Sequence, residues 1–259
     1  MRTTARWLLS FALVGALASV ARADEAEDEL LSTVYTENGY ELRRDERLFA
    51  LYAAFNMAGL DRADESRPQP FARRSFHPIR VSLRDALAPS GEKLRGPVES
   101  YLDAHPAPFE TYVAGALLLG EEPDFRPLKP LPSGVSGLDR MLSEFVRASK
   151  LSKLGRQLAT DYRAEFKKLR ALVDEPFAKM RASFKLKEET APSLVLVPMP
   201  LDASGRPFAM RDADGAHVVV FGIPAEGALD MAPVLEAYSK LLSSETHSRE
   251  GAKAESVSR

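Results

Sequence analysis

Apolar residues recur every three or four positions in several segments, which is the spacing of an amphipathic helix. The clearest of these in the first half lies between Asp45, whose carboxylate is suited to cap a first turn, and Gly59. The same periodicity predicts further helices at about residues 82–87, 92–104, 109–119, 138–146 and 151–173. Pro176 is expected to end or kink the last of them.

β-branched and alternating segments predict a small number of strands near the two ends of this helical region. Residues 31–42 alternate apolar and polar positions around Asn38 and Gly39, which indicates a short strand and a turn. Three later strands are predicted at 194–197, 207–210 and 216–221, before a final helix capped by Asp230. The order predicts an α+β fold, mainly helical, with a small antiparallel sheet preceding the final helix.

The first 23 residues have the pattern of a secretory signal peptide. Arg2 and Arg6 precede an uncharged apolar stretch from Trp7 to Val20, and Ala21-Arg22-Ala23 has the small residues that signal peptidase requires. We therefore expect cleavage before Asp24 and a periplasmic or secreted protein. The mature chain divides into a flexible leader at 24–30, one domain at 31–242 and a disordered tail at 243–259. A proline-rich connector at 123–134 is the place where two subdomains would meet.

Composition and net charge exclude disulfides and argue against nucleic acid as a partner. The chain of 259 residues has no cysteine, so its stability must come from a hydrophobic core without disulfides. Its formal charge of −2 becomes −5 when the signal segment, with three arginines and no acid, is removed. A mildly acidic chain is not expected to bind nucleic acid. We also expect no membrane span after signal cleavage. The charged residues between 153 and 168 are interpreted as the solvated face of a helix.

The sequence carries none of the common catalytic motifs. There is no Gly-x-Ser-x-Gly nucleophile segment and no glycine-rich phosphate loop. The four histidines (His77, His105, His217 and His247) are isolated, and no two have the i, i+4 spacing of a zinc-binding helix. Carboxylates cluster at 121–124, but nothing in their spacing selects an acid–base pair.

Several segments together resemble secreted bacterial zinc-peptidase-like domains of the gluzincin type. The resemblance spans most of residues 31–242, and its segments are Arg44-Asp-Glu-Arg-Leu-Phe-Ala-Leu-Tyr-Ala-Ala-Phe-Asn-Met-Ala-Gly59, Tyr101-Leu-Asp-Ala-His-Pro106, Glu121-Glu-Pro-Asp-Phe125 and Val218-Val-Val-Phe-Gly222. In that family such a strand precedes a helix that carries the zinc ligands, as His-Glu-x-x-His or as a looser His-x-x-x-His.

The helix that follows the strand here has no histidine at the corresponding positions. The looser motif places the ligands at Glu236 and Lys240, and the stricter one places them at Leu235 and Ser239 with Glu236 as the general base. Lysine brings a positive charge to such a site and leucine has no lone pair. The resemblance therefore implies a degenerate metal motif, and we expect no zinc, no other cofactor and no catalytic residue.

The resulting prediction is an exported metallopeptidase-like protein that is not an active enzyme and that binds a peptide or envelope protein. An extended peptide would pair with an exposed strand edge near His217, Val219 and Phe221. Two alternatives stay open. One is a metal-dependent hydrolase whose ligands come from distant positions such as His77 or His105 with carboxylates. The other is a structural envelope protein that binds other subunits.

Overall fold

A computed structural model of the chain describes residues 35–37, 40–59, 77–184, 193–202, 205–225 and 229–257. The signal segment and the leader predicted at 1–30 lie outside the described residues. Helices predominate, and their bounds are α1 Glu46–Met57, α2 Pro78–Leu87, α3 Gly91–Ala104, α4 Phe109–Leu117, α5 Leu138–Ser149, α6 Leu151–Gln157, α7 Ala159–Ser183 and α8 Ala232–Val257. A short 3-10 turn, Ala88–Ser90, joins α2 to α3.

The strands form one five-stranded sheet. They are β1 Tyr35–Glu37, β2 Tyr40–Leu42, β3 Leu194–Met199, β4 Phe208–Arg211 and β5 His217–Gly222, and their order across the sheet is β1-β2-β3-β5-β4. The outer pairs, β1 with β2 and β4 with β5, are antiparallel. The inner pairs, β2 with β3 and β3 with β5, are parallel. The mainly helical α+β prediction is confirmed, with a mixed sheet in place of a wholly antiparallel one.

The mixed sheet follows from the composition of its central strands. All six residues of β3 are buried, and five of the six in β5 are buried. Strands with no polar face need cover on both sides and favour a central position. The shorter β4, which is only partly buried, therefore lies outside β5, and β3 and β5 become parallel neighbours.

Helix α1 lies inside the core. Nine of its twelve residues are buried, including those between the positions that the periodicity selected. The Asp45 carboxylate accepts hydrogen bonds from the amides of Arg47 and Leu48, at 3.1 and 3.2 Å, and so caps the helix as predicted. A helix apolar on all sides must be surrounded, and α2, α3, α4 and α5 all contact it.

Three boundary predictions differ from the structure. Helix α7 continues through Pro176 to Ser183, and α8 continues to Val257, so the tail predicted to be disordered is helical over residues 243–257. Alanine, glutamate, lysine and arginine, which favour helices, make up seven of these 15 residues, although serine is the commonest residue among them. The connector at 123–134 does not separate subdomains, because Phe125 and Val135 are fully buried and every described residue belongs to one unit.

Within the described ranges, no helix combines the length and the apolar character that crossing a bilayer requires.

Candidate functional site

Glu236 and Lys240, the positions for which a degenerate metal motif is predicted, lie on the solvent side of α8. The Lys240 ammonium is 2.7 Å from the Glu236 carboxylate, and the two side chains are 75% and 65% exposed. Hydrogen bonding from Lys240 lowers the pKa of Glu236 below its ordinary value. The positions of the stricter motif, Leu235 and Ser239, are partly buried.

An ordinary surface pair on α7 has the same geometry. The Glu175 and Lys179 side chains are 75% and 73% exposed, have the same i, i+4 spacing and lie 2.5 Å apart. The pair on α8 therefore has the properties of a solvated helix face. The inward face of α8 is formed by Val234, Tyr238 and Leu242, all of which are buried.

The predicted peptide-binding strand has no free edge over most of its length. Strand β5 pairs with β3 along one side and, from His217 to Val220, with β4 along the other. The side chains of His217, Val219 and Phe221 are all buried. The prediction of an exposed strand edge there is wrong. The apolar, β-branched residues of β5 favour burial on both faces, and the strand lies inside the sheet between β3 and β4.

His217 instead joins the sheet to α8. Its Nε2 atom is 2.8 Å from the Glu245 carboxylate, which also accepts a hydrogen bond from Arg211 Nε at 2.6 Å. Burial lowers the pKa of His217, although Glu245 acts in the opposite direction. The Tyr238 ring meets the imidazole edge-on, with centroids 5.8 Å apart. His217 Nδ1 and the Tyr238 hydroxyl are buried and have no hydrogen-bond partner among the described residues. The cluster anchors α8 on the sheet edge formed by β4 and β5.

The other histidines do not come together with it. His77 caps α2, accepting the Ile79 amide hydrogen bond at Nδ1, and its Nε2 lies 3.8 Å from Glu165. His105 stacks on Tyr101, with ring centroids 4.5 Å apart. The side chain of His247 lies outside the described residues. Across the described part of the chain, no three histidine or acidic side chains converge as metal ligands would.

A polar cluster that sequence reasoning missed lies where the start of α1 meets α6 and α7. Arg44 is buried, and its Nη1 atom donates to the Gly155 carbonyl at 2.9 Å. Its Nε atom donates to Glu46 Oε1 at 3.0 Å, and Nη2 donates to the same oxygen. The guanidinium also lies over the rings of Phe49 and Tyr162, at 4.9 and 5.4 Å from their centroids. Planar stacking and a fixed fork of donors suit arginine at this position, and lysine offers neither.

A second carboxylate, that of Glu122 just before the connector, lies near this cluster. The Ser152 hydroxyl donates to Glu122 Oε2 at 2.6 Å, whereas Glu122 Oε1 is buried without a hydrogen-bond partner among the described residues. Burial raises the pKa of Glu46, Arg44 opposes the rise, and the negative charge of Glu122 adds to it. The Tyr162 hydroxyl is also buried and unpartnered in the described structure. Burial outweighs the guanidinium, so the pKa of Glu46 lies above its ordinary value although Arg44 is its hydrogen-bond partner.

The cluster brings together two of the segments that carry the family resemblance, 44–59 and 121–125. The signal that could have revealed it is the run of five charged residues from Arg43 to Arg47, which overlaps the start of the mainly apolar helix α1. The Asp45 carboxylate caps α1, and Arg47 Nη1 donates to the Leu117 and Leu119 carbonyls at 3.1 and 3.0 Å. The run therefore connects helices through two buried residues, Arg44 and Asp45, and three partly buried ones, where sequence reasoning assigned a role to Asp45 alone.

No family model, curated protein or solved structure was found to match the chain.

Proposed function

We propose that this protein is an exported, metallopeptidase-like domain that binds a peptide or protein partner and does not use a catalytic zinc ion. The observation that carries the proposal is the geometry of α8. Glu236 and Lys240, which the resemblance assigns to the ligand positions of the looser motif, pair with each other in solvent. The side of α8 that faces the fold is apolar, so the helix serves as a core element.

The framework around α8 supports a binding role. Helix α8 is anchored to the sheet through His217, Arg211 and Glu245, and α1 is anchored to α6 by Arg44. These contacts are already present without a partner, so they need not form when a partner binds. Because both sides of β5 are paired, the partner contacts a surface other than that strand.

Metal analysis of the purified mature protein after dialysis tests the proposal. We expect far less than one zinc per chain, and no peptide cleavage that a chelator abolishes. Glu236→Gln should leave every measured property unchanged, as should the matched variant Glu175→Gln on α7. Stoichiometric zinc that survives dialysis, or cleavage lost in Glu236→Gln and retained in Glu175→Gln, would overturn it.

Export is tested separately. Expression of the full chain in a bacterial host should give a mature protein that begins at Asp24, as measured by N-terminal sequencing of the periplasmic or culture fraction. A chain that keeps residues 1–23 would contradict the export prediction while leaving the binding proposal open to its own test.

A further inference from the structure

His77 supplies the hydrogen-bond acceptors for the first turn of α2. Its carbonyl accepts from the amides of Arg80 and Val81, at 2.9 and 3.1 Å, and its Nδ1 atom accepts from the Ile79 amide at 3.2 Å. Pro78 has no N–H to satisfy. His77 and Ile79 are only 6% and 2% exposed, so water has little access to this side-chain hydrogen bond. The Ile79 amide therefore depends on one ring nitrogen.

This hydrogen bond fixes the protonation state of the ring. A neutral imidazole has one nitrogen that accepts and one that carries a proton, so an accepting Nδ1 places the proton on Nε2. An imidazolium carries protons on both nitrogens and cannot accept. A protonated His77 would therefore turn an N–H toward the N–H of Ile79. It would also bring a positive charge to the N-terminal end of a helix, where the backbone dipole disfavours cations.

The charges that act on His77 from the described residues lie on α7. Its Nε2 atom is 3.8 Å from the Glu165 carboxylate, beyond hydrogen-bond distance, and the Lys168 ammonium is 2.7 Å from the same carboxylate. Burial lowers the pKa of His77, Glu165 and Asp161 act in the opposite direction, and Lys168 adds to the lowering. The pKa of His77 therefore lies below its ordinary value of about 6.5.

We propose that His77 is a pH-sensitive switch, whose protonation favours opening of the first turn of α2. The cap requires the neutral ring, so it stabilises this turn above about pH 6.5, and its contribution is lost as the pH falls through the lowered pKa of His77. The later turns of the helix are held by Leu83 and Leu87, which are buried. Opening is therefore confined to the start of α2.

The turn that His77 caps forms part of a cavity wall. Arg80, which is buried, and Leu83 line a cavity of about 290 Å³. Asn56 of α1 and Arg95 of α3 line its other sides. Opening of the first turn moves Arg80 and so changes the shape and the charge of this cavity. Protonation of one imidazole is thereby coupled to a site that three helices share.

Hydrogen–deuterium exchange of the purified protein tests the switch at about pH 8 and about pH 5.5, on either side of the ordinary histidine pKa. Labelling times are adjusted for the pH dependence of intrinsic amide exchange. Peptides that cover residues 78–83 should exchange about fivefold faster at the lower pH, which is the factor that one lost side-chain cap represents. Peptides from α5, which contains no histidine, should show no such change.

Substitution of the ring separates the cap from its charge. His77→Asn supplies a side-chain oxygen that caps a helix and does not titrate in this range. This variant should keep the protection of the parent at about pH 8 and lose the fivefold change. His105→Asn is the matched control, since His105 stacks on Tyr101 outside α2, and it should keep the change. His77→Ser gives the same information if the asparagine variant does not fold, and circular dichroism checks the fold of each.

An NMR titration of the His77 ring provides an independent measurement. The ring nitrogen shifts should show the tautomer with the proton on Nε2. Glu165→Gln removes a carboxylate that favours the charged ring and should lower the pKa of His77. Lys168→Gln removes a cation that disfavours the charged ring and should raise the same pKa. A purely structural histidine would not require these opposite shifts together with a pH-dependent helix.

Several results would overturn the proposal. They are exchange of residues 78–83 that does not change with pH in the parent, a change that persists in His77→Asn, and a change that is lost equally in His105→Asn. Shifts of the His77 pKa in the same direction in Glu165→Gln and Lys168→Gln would also reject it. None of these measurements detects zinc, so the switch and the proposed function are tested separately.

Discussion

Gly155 provides the sharpest test of how Arg44 is held. An ideal Cβ atom at this position would lie 3.1 Å from both Nη1 and Nη2 of Arg44. The guanidinium cannot move away freely, because it donates to the Gly155 carbonyl and to Glu46 and lies over two aromatic rings. The perturbation is therefore Gly155→Ala, one methyl group placed against a fixed cation.

Two opposing effects set the expected magnitude. Alanine in the interior of a helix is favoured over glycine by about 1 kcal/mol. Forcing an extra group into a well-packed site costs about 1–3 kcal/mol, and here it also disturbs the Arg44 hydrogen bonds. Gly155→Ala should therefore lower the free energy of unfolding by about 1 kcal/mol. In an Arg44→Ala background the obstacle is absent, and the same change should raise it by about 1 kcal/mol.

Urea denaturation followed by circular dichroism measures all four members of this cycle. The coupling between the two sites should be about 2 kcal/mol. Arg44→Ala alone should cost about 3 kcal/mol, because it removes a buried side chain that lies over two rings and donates to the Gly155 carbonyl. Gly91→Ala is the control, since its Cβ would meet only the Met57 sulfur at 4.0 Å, and it should stabilise by about 0.5 kcal/mol. If Gly155→Ala stabilises the parent as Gly91→Ala does, or if the two changes are additive, Arg44 is not held as described.

The remaining predictions concern α8. Burial raises the pKa of Glu245, but the hydrogen bond from Arg211 and the charge of His217 outweigh it, so the pKa lies below its ordinary value. The contribution of Glu245 to stability is therefore present above the ordinary carboxyl pKa and is lost as the pH falls through the lowered one. Glu245→Gln should flatten this acid limb in urea titrations at a series of pH values, and an unchanged limb would contradict the contact. Tyr238→Phe removes a buried hydroxyl without a described partner and should leave stability unchanged or raise it by up to about 1 kcal/mol, whereas a loss would reveal a hydrogen bond. Lys240→Gln should leave the urea midpoint unchanged, because Lys240 is exposed, and a clear shift would show that the pair contributes to the fold.

Local pattern predicted the elements of this fold more completely than their arrangement. The apolar stripes of α1 and α7 and the β-branched run of β5 are visible in the sequence, because each is a repeat within one segment. The pairing of Tyr40 with Leu194 joins strands that are far apart in the chain. Nothing in either segment specifies that neighbour, so the parallel centre of the sheet and the covered edge of β5 were missed.

Exposed and buried charges differ in the same way in how far the sequence predicts them. Arg163 follows Tyr162 in α7, and the helical period alone places the tyrosine in the core and the arginine in solvent. The exposure of Arg163 can therefore be derived from the sequence. Arg44 lies outside any helix, in a run of charges that would ordinarily be assigned to the surface. Its burial depends on a carbonyl at Gly155 and a ring at Tyr162, more than a hundred residues later, and a period within one segment carries no information about either.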